Sequence, residues 1–287
     1  MNNVIITGTS SGFGRLSAIA FAEQGYQVWA TMRNADGSNR EPKKLLEAAA
    51  GDIRVLDMDV ADDASVDTAI AQVIQADGKV DVLINNAGIM YIGHTEAYSV
   101  EQAHEQMNVN YYGVIRTTQA VLPVMRRAGS GLIINTSSTA GRVAYPYFGT
   151  YGATKFAVEA YSQSLRYEMA PHGIDIAIVE PGPFPTNLIE SVQPEARQHV
   201  LDDYGALKDV PAGMLDYFVD FFTTDAAPDN QLVVDAYLAL ADAEPGQRPI
   251  RTHVGIEHGA AEINRITQPI QDNIVNELGL ATVLERP

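Results

Sequence analysis

The sequence predicts an α/β fold built on a doubly wound parallel β-sheet, and three observations predict it. Apolar, β-branched runs alternate with segments of helical period, several of those runs are continuously apolar, and a glycine-rich turn joins the first run to the first helix. The runs lie at about 3–7, 26–31, 53–58, 80–84, 131–135 and 174–179, and the helical segments at about 15–24, 42–50, 63–76, 99–127 and 152–170. Val4-Ile5-Ile6 and Val82-Leu83-Ile84 suit strands covered on both faces, and parallel pairing needs the long crossovers that the helices supply. Leu16, Ile19 and Ala20 form the apolar stripe of the first helix, and Gly25 stands where a left-handed residue would end it. Gly78 and Gly129 occupy similar positions.

The rhythm fails from about 187 to 247. Pro194, Pro211, Pro228 and Pro245 interrupt that stretch, which also carries carboxylates and the aromatic cluster Tyr217-Phe218-Val219-Asp220-Phe221-Phe222. It reads as helices and loops over the carboxyl edge of the sheet, a C-terminal helical lid. Ile250–Gly255 reads as a final strand with a short helical tail behind it. The expected organisation is a single domain with a core at 1–186, a lid at 187–247, and a last strand and tail at 248–287; 287 residues suffice for one full-sized core.

Composition removes several functions. A net charge of −17 offers no basic face to a phosphate backbone, so no nucleic-acid partner is expected. The chain has no cysteine, which removes disulfides, thiolate ligands and a cysteine nucleophile, and its six histidines show no metal-binding spacing. No metal is expected. No apolar run nears the roughly 20 residues needed to cross a bilayer, and the apolar run at residue 3 leaves no room for a leader. The expectation is a soluble, cytoplasmic protein without a membrane partner.

Chemistry enters at Thr7-Gly8-Thr9-Ser10-Ser11-Gly12-Phe13-Gly14, between the first strand and the first helix. Glycines there let the backbone approach a pyrophosphate, and the helix's unpaired N–H groups and positive end face the anion. The second strand ends Ala30-Thr31-Met32-Arg33, where an NAD site offers a carboxylate to the ribose hydroxyls. Arg33 suits a 2′-phosphate instead, which favours NADP(H), while Asp36 keeps NAD(H) open. Tyr151 and Lys155 stand four residues apart, on one helical face. A phenol near pKa 10 is a poor acid or base at neutral pH, and a fixed ammonium would favour its phenolate. Such a pair recurs by chance; Thr136-Ser137-Ser138, thirteen residues before the tyrosine, gives it a context in which a hydroxyl positions a substrate oxygen. No histidine–acid pair accompanies these serines, so a serine hydrolase is disfavoured.

With these residues in place the chain resembles the short-chain dehydrogenase/reductase family, over about residues 3–186. The resemblance implies a Rossmann-type sheet and hydride transfer between a nicotinamide and an alcohol or carbonyl carbon. It implies that the turn Gly8, Ser10, Ser11, Gly12, Phe13 and Gly14 holds the cofactor diphosphate, that Asp59 and Val60 border the adenine, and that Asn86, Ala87 and Gly88 lie near the adenosine ribose. It implies a catalytic set of Asn110, Ser138, Tyr151 and Lys155: Asn110 bends a helix and its carbonyl holds a relay water, Ser138 polarises the carbonyl, Tyr151 moves the proton, and Lys155 binds the nicotinamide ribose and lowers the tyrosine's pKa. In the cofactor-binding loop that includes Pro181 and Gly182, the Phe184 backbone and the Thr186 hydroxyl would meet the carboxamide. Ser11 departs from the basic residue frequent in NADP-using members, and Phe13 replaces a more frequent isoleucine.

The expected substrate is a moderately bulky, apolar secondary alcohol or ketone, with Tyr145, Tyr147, Phe148 and Phe184 near it. The lid aromatics read as packing, with pocket lining as the alternative. His94 reads as a surface loop residue. The resemblance implies a homodimer or homotetramer paired through the helices at about 99–127 and 152–170. Two rivals remain: a cofactor-sensing regulator, against which the filled catalytic set argues, and a nucleotide-sugar epimerase, against which the glycine spacing argues.

Overall fold

Seven strands form in the computed structural model, which describes residues 2–280. They are β1 (Asn3–Thr7), β2 (Gln27–Met32), β3 (Asp52–Asp57), β4 (Val82–Asn85), β5 (Gly131–Thr136), β6 (Ile174–Pro181) and β7 (Arg251–Val254). The order across the sheet is β3-β2-β1-β4-β5-β6-β7, and every pairing is parallel. The winding therefore reverses between β1 and β4, which opens a crevice at their carboxyl ends.

Strand alternation sends successive side chains to opposite faces, and both faces of the central strands are buried. Val4, Ile6, Val28, Ala30, Ile84, Ile134 and Val179 point to one side, where α1 (Gly12–Glu23) packs with α9 (Gln231–Asp242). Ile5, Trp29, Leu83, Ile133 and Ile176 point to the other, against α3 (Asp63–Asp77), α5 (Gly113–Ala128) and α6 (Gly149–Met169). The remaining helices are α2 (Arg40–Glu47), α4 (Val100–Met107), α7 (Gln198–Leu201), α8 (Val210–Phe221) and α10 (Ala260–Glu277). Among the described residues no helix is long and apolar enough to cross a membrane.

Two stretches differ from the sequence expectation. The segment 99–127 is not one regular helix: a π-helical turn at Asn108–Tyr112 separates α4 from α5, and the N–H of Gly113 reaches back to the carbonyl of Asn108. The wider turn lets Asn110 go into the interior, where its amide finds backbone partners. The stretch 187–247 divides in two. Its first part, through α8, crosses the carboxyl edge, but α9 buries Val233, Val234, Tyr237 and Leu240 beside α1 and β6 and belongs to the core layers. The tail is the 18-residue α10; residues 281–287 of the expected tail lie outside the described residues.

Tyr237 ties α9 to the sheet, its hydroxyl 2.7 Å from Thr136 Oγ1 in a site without solvent. Tyr237→Phe leaves the threonine hydroxyl unpartnered. Chemical denaturation should show a loss of about 1–2 kcal/mol, the usual consequence of orphaning a buried polar group.

Candidate active site

The carboxyl ends of the strands around the winding reversal open into a cavity of about 680 Å³. Its first wall is the turn after β1. Gly8 and Gly12 have φ of 71° and 53°, a region that side chains avoid. A Cβ on Gly14 would collide with the carbonyl oxygen of Gly8 and come within 2.6 Å of Asn86 Nδ2. That crowding exists because Asn86 Nδ2 donates to the carbonyls of Thr7 at 2.9 Å and Gly8 at 3.2 Å. Thr7 Oγ1 in turn accepts the N–H groups of Asn86 and Ala87 at 3.0 and 2.9 Å. The Asn86 side chain is thus spent on bracing the turn. Ser11, which precedes α1, makes no side-chain cap, so the helix's leading N–H groups stay available to an anion.

At one end the wall passes Met32, Arg33, Ser38, Asn39, Asp59 and Val60. Asn39 Nδ2 donates to the carbonyl of Arg33 at 2.7 Å and fixes the loop after β2. Asp36, the residue that favoured NAD(H), is 86% exposed, paired with Lys43 at 2.7 Å, and absent from this wall. Ser38 and Asn39 escaped sequence reading because nothing local distinguishes them from any polar turn.

The other end holds Ser138, Tyr151 and Lys155. Ser138 follows β5 and accepts the N–H of Ala140 at 3.1 Å, while its hydroxyl faces the carbonyl of Pro181 at 3.4 Å. Tyr151 stands in the first turn of α6, buried, and lines the cavity together with Ser138. Lys155 is one turn further on. Its Nζ lies 5.7 Å from the centre of the Tyr151 ring and donates to the carbonyl of Thr136 at 2.9 Å. Burial pushes the Tyr151 phenol up to about 12 against the opposing bond from Ser138, and burial pushes Lys155 down to about 8. Desolvation is the largest influence on both groups.

Asn110 lies behind this wall rather than in it. Its amide donates to the carbonyl of Ile89 at 2.8 Å and to Thr154 Oγ1 at 3.0 Å, and it accepts the N–H of Ile89 at 2.8 Å. Thr154 in turn donates to the carbonyl of Tyr151 at 2.8 Å, so Asn110 braces the tyrosine's helix against the chain after β4. Gly14 also stands behind the wall. The other predicted residues, Gly8, Ser10, Ser11, Gly12, Phe13, Arg33, Asp59, Val60, Asn86, Ala87, Gly88, Ser138, Tyr151, Lys155, Pro181, Gly182, Phe184 and Thr186, all line the one cavity. Phe184 closes it against the glycine turn, its ring edge-on to Phe13 with centres 5.4 Å apart.

The lining also includes apolar Ile89, Met90, Ile92, Phe148, Leu188 and Ile189, interrupted by Asn187, Glu190 and Ser191. The lid aromatics do more than pack: Phe218 and Phe222 line the cavity, Phe218 edge-on to Phe148 at 6.4 Å, while Tyr217 faces solvent at 66% exposure. His94 is corrected as well. It is only 3% exposed, held between Tyr147 and Tyr204, with Nε2 3.2 Å from the carbonyl of Lys208. A residue missed entirely is His258, which lines the cavity with Nδ1 3.0 Å from Tyr145 Oη. The nearby glycines Gly255 and Gly259 were its one signal, and they say only that the chain turns.

The model for the short chain dehydrogenases matches residues 2–197. The chain belongs to the short-chain dehydrogenase family. It has the nucleotide-binding Rossmann-type fold of that family. A 3-ketodihydrosphingosine reductase from Bacteroides thetaiotaomicron is 42% identical over 188 residues, 66% of this chain and 66% of that one. The human 17-beta-hydroxysteroid dehydrogenase type 1 is 37% identical over 194 residues, 66% of this chain and 58% of the human one. These matches thus span less than two thirds of either relative. Among solved structures, a short-chain dehydrogenase from Streptomyces avermitilis superposes with a TM-score of 0.76 at 30% identity, covering 96% of this chain and 95% of that one. An alcohol dehydrogenase from Thermococcus sibiricus, complexed with 5-hydroxy-NADP, gives 0.72 at 25% identity, with 90% and 98% covered.

The crowding at the glycine turn can be tested directly. Gly14→Ala should weaken uptake of a reduced nicotinamide dinucleotide at least tenfold, about 1.4 kcal/mol, with a lowered melting temperature. Fluorescence titration with NADPH and with NADH and a thermal scan measure the two effects.

Proposed function

We propose that this short-chain dehydrogenase interconverts a bulky, apolar secondary alcohol and its ketone, or an aldehyde, with NADP(H), and that Tyr151 moves the proton. The observation that carries the reading is a buried phenol, lining one cavity with Ser138, with Lys155 one turn further on, and with the glycine turn.

The residues present fit a dinucleotide. The open N–H groups of α1 and the close-approach positions Gly8 and Gly12 would hold the diphosphate, and Asp59 and Val60 would border the adenine. Arg33, Ser38 and Asn39 offer a cation and polar groups where a 2′-phosphate would sit, whereas Asp36 points its carboxylate at Lys43. Pro181, Gly182, Phe184 and Thr186 would orient the nicotinamide. When bound, that ring supplies or accepts the hydride.

The chain's own residues handle the oxygen and its proton. Ser138 and Tyr151 converge on one point, where a carbonyl oxygen accepts both hydroxyls and is polarised. Burial keeps Tyr151 a phenol across the neutral range, so it meets the carbonyl already carrying the proton that the alkoxide needs. Lys155, fixed on the carbonyl of Thr136, places its positive charge beneath the ring and steadies the phenolate left behind. The alcohol direction runs the same steps in reverse.

The substrate class rests on the apolar wall of Ile89, Phe148, Leu188, Phe218 and Phe222. The names of the two relatives above, one a 3-keto reductase and one a hydroxysteroid dehydrogenase, point the same way. The half-exposed Tyr112 and Phe156, at the start of α5 and on α6, support pairing of two or four copies through those helices.

A panel of ketones and alcohols with NADPH or NADP, followed at the nicotinamide absorbance, finds the substrate. Turnover of small charged hydroxy acids alone would count against the apolar class. On the best ketone, Tyr151→Phe should lower kcat by a hundredfold or more while NADPH binding is kept, as removal of an acid–base group does. Arg33→Ala should raise the KM for NADPH about tenfold and leave that for NADH unchanged, an effect of about 1.4 kcal/mol on the phosphate contact.

A further inference from the structure

A buried set of charges lies behind the reaction centre and takes no part in the steps above. Glu159 on α6 and Glu180 on β6 have side chains 3% and 0% exposed. Arg251 of β7 stands between them, its Nε 2.9 Å from Glu159 Oε2 and 3.3 Å from Glu180 Oε1. Its other nitrogens donate to the side-chain carbonyls of Gln163 at 2.8 Å and Gln268 at 3.1 Å. Asn264 Nδ2 donates to Glu180 Oε2 at 2.6 Å. Both Gln268 and Asn264 belong to α10.

One guanidinium between two dry carboxylates leaves a surplus negative charge, and such a surplus is relieved by a proton. Burial and the neighbouring Glu159 push Glu180 well above the ordinary carboxylate range, so Glu180 is driven toward its protonated form. Glu159 stands one helical turn after Lys155, the spacing at which side chains meet on a helix face. Its Oε1 is buried without a hydrogen-bond partner. A Cβ on Gly141 would meet Glu159 Cγ and the Lys155 carbonyl oxygen, each at 3.1 Å, so the glutamate's stem folds in beside the lysine's own turn.

Lys155 itself is short of compensation. Its hydrogen bond goes to a neutral carbonyl, burial favours its discharge, and Glu159 is the charged group that opposes this. The other titratable groups about the cluster are Tyr151 on α6, Glu180 on β6, Arg251 and His253 on one face of β7, and Arg142 beyond β5. Arg142 is turned to Asn264 and Thr267 of α10, at 2.6 and 2.8 Å.

We propose that Glu159 is a positioning residue that supplies the counter-charge of Lys155, keeping it an ammonium beneath Tyr151, and that Arg251, steadied by Gln268 of α10, fixes Glu159. The proposal rests on the reading of Lys155 as part of the reaction centre. It ties the C-terminal helix, remote in sequence from the acid–base residues, to the charge state on which proton transfer depends.

The test follows the lysine without any substrate. The chain has five lysines, so protein grown with ¹³C,¹⁵N-lysine gives few side-chain signals, and Lys155→Arg assigns the one of interest. The wild-type Lys155 signal should titrate near pH 8. In Glu159→Gln the midpoint should fall by about one pH unit, the lower end of what a close opposite charge contributes. Glu159→Asp, which retains the charge, should restore most of that shift. Glu180→Gln, which mimics the protonated acid, should leave the midpoint in place. A wild-type midpoint in folded Glu159→Gln overturns the proposal, and so does a full-unit fall in Glu180→Gln, which remains readable should Glu159→Gln not fold. With a ketone from the panel, the high-pH limb of kcat/KM should move down with the lysine. A shifted titration together with no NADPH uptake by the wild type would support the counter-charge while removing the dehydrogenase reading.

Discussion

The structure depends on how closely the chain packs where its winding reverses. The turn after β1 presses against the chain leaving β4 so tightly that a methyl group on Gly8 would lie 2.7 Å from the Cα of Ala87, and one on Gly14 would strike the carbonyl of Gly8. Thr7 and Asn86 lock that contact with four hydrogen bonds between them, all from one strand end to the next. The turn is thereby held open and rigid without a ligand, with its N–H groups already facing the cavity. Everything further along is placed relative to it. Phe184 reaches it from the end of β6 through Phe13, and Gly88 carries the chain on toward Asn110 and Lys155.

Burial is the second theme, and it acts on the chemistry rather than on the fold. A phenol and an amine on one helix face would, in water, titrate near their ordinary values. Sealed at the end of β5 they move in opposite directions, the phenol up and the amine down, because each is pressed toward its neutral form. An acid–base site on this plan needs its charge supplied from behind. Asn110 and Thr154 provide geometry, bracing the helix, while the carboxylate of Glu159 is the nearest opposing charge on that helix. Position and charge are thus served by different residues on different sides of α6.

Much of this was legible in the sequence. Central strands buried on both faces declare themselves by continuous apolar runs such as Val4-Ile5-Ile6 and Val82-Leu83-Ile84, and all seven strands lie within a few residues of the expected places. The glycine turn, the Tyr151–Lys155 pair and Ser138 were readable for a similar reason: each is a local pattern whose spacing carries its meaning. What escaped reading was non-local. Ser38 and Asn39 matter because α2 swings them back to the cavity, His258 because β7 ends beside the sixth strand, and Phe218 because α8 crosses above Phe148. The buried His94 looked like a loop residue because its loop is covered by a segment more than a hundred positions away, at Tyr204 and Lys208.

The sequence by itself determined the doubly wound sheet, the family and the shared helix face of Tyr151 and Lys155, because hydrophobic period, turn chemistry and fourfold helical spacing are properties of neighbours along the chain. Tertiary structure alone decided that Asp36 faces away from the cavity, that α9 is core rather than lid, and that Glu159, Glu180 and Arg251 share one dry site. Those outcomes depend on solvent exclusion and on contacts between distant segments, and neither exists until the layers have closed on one another.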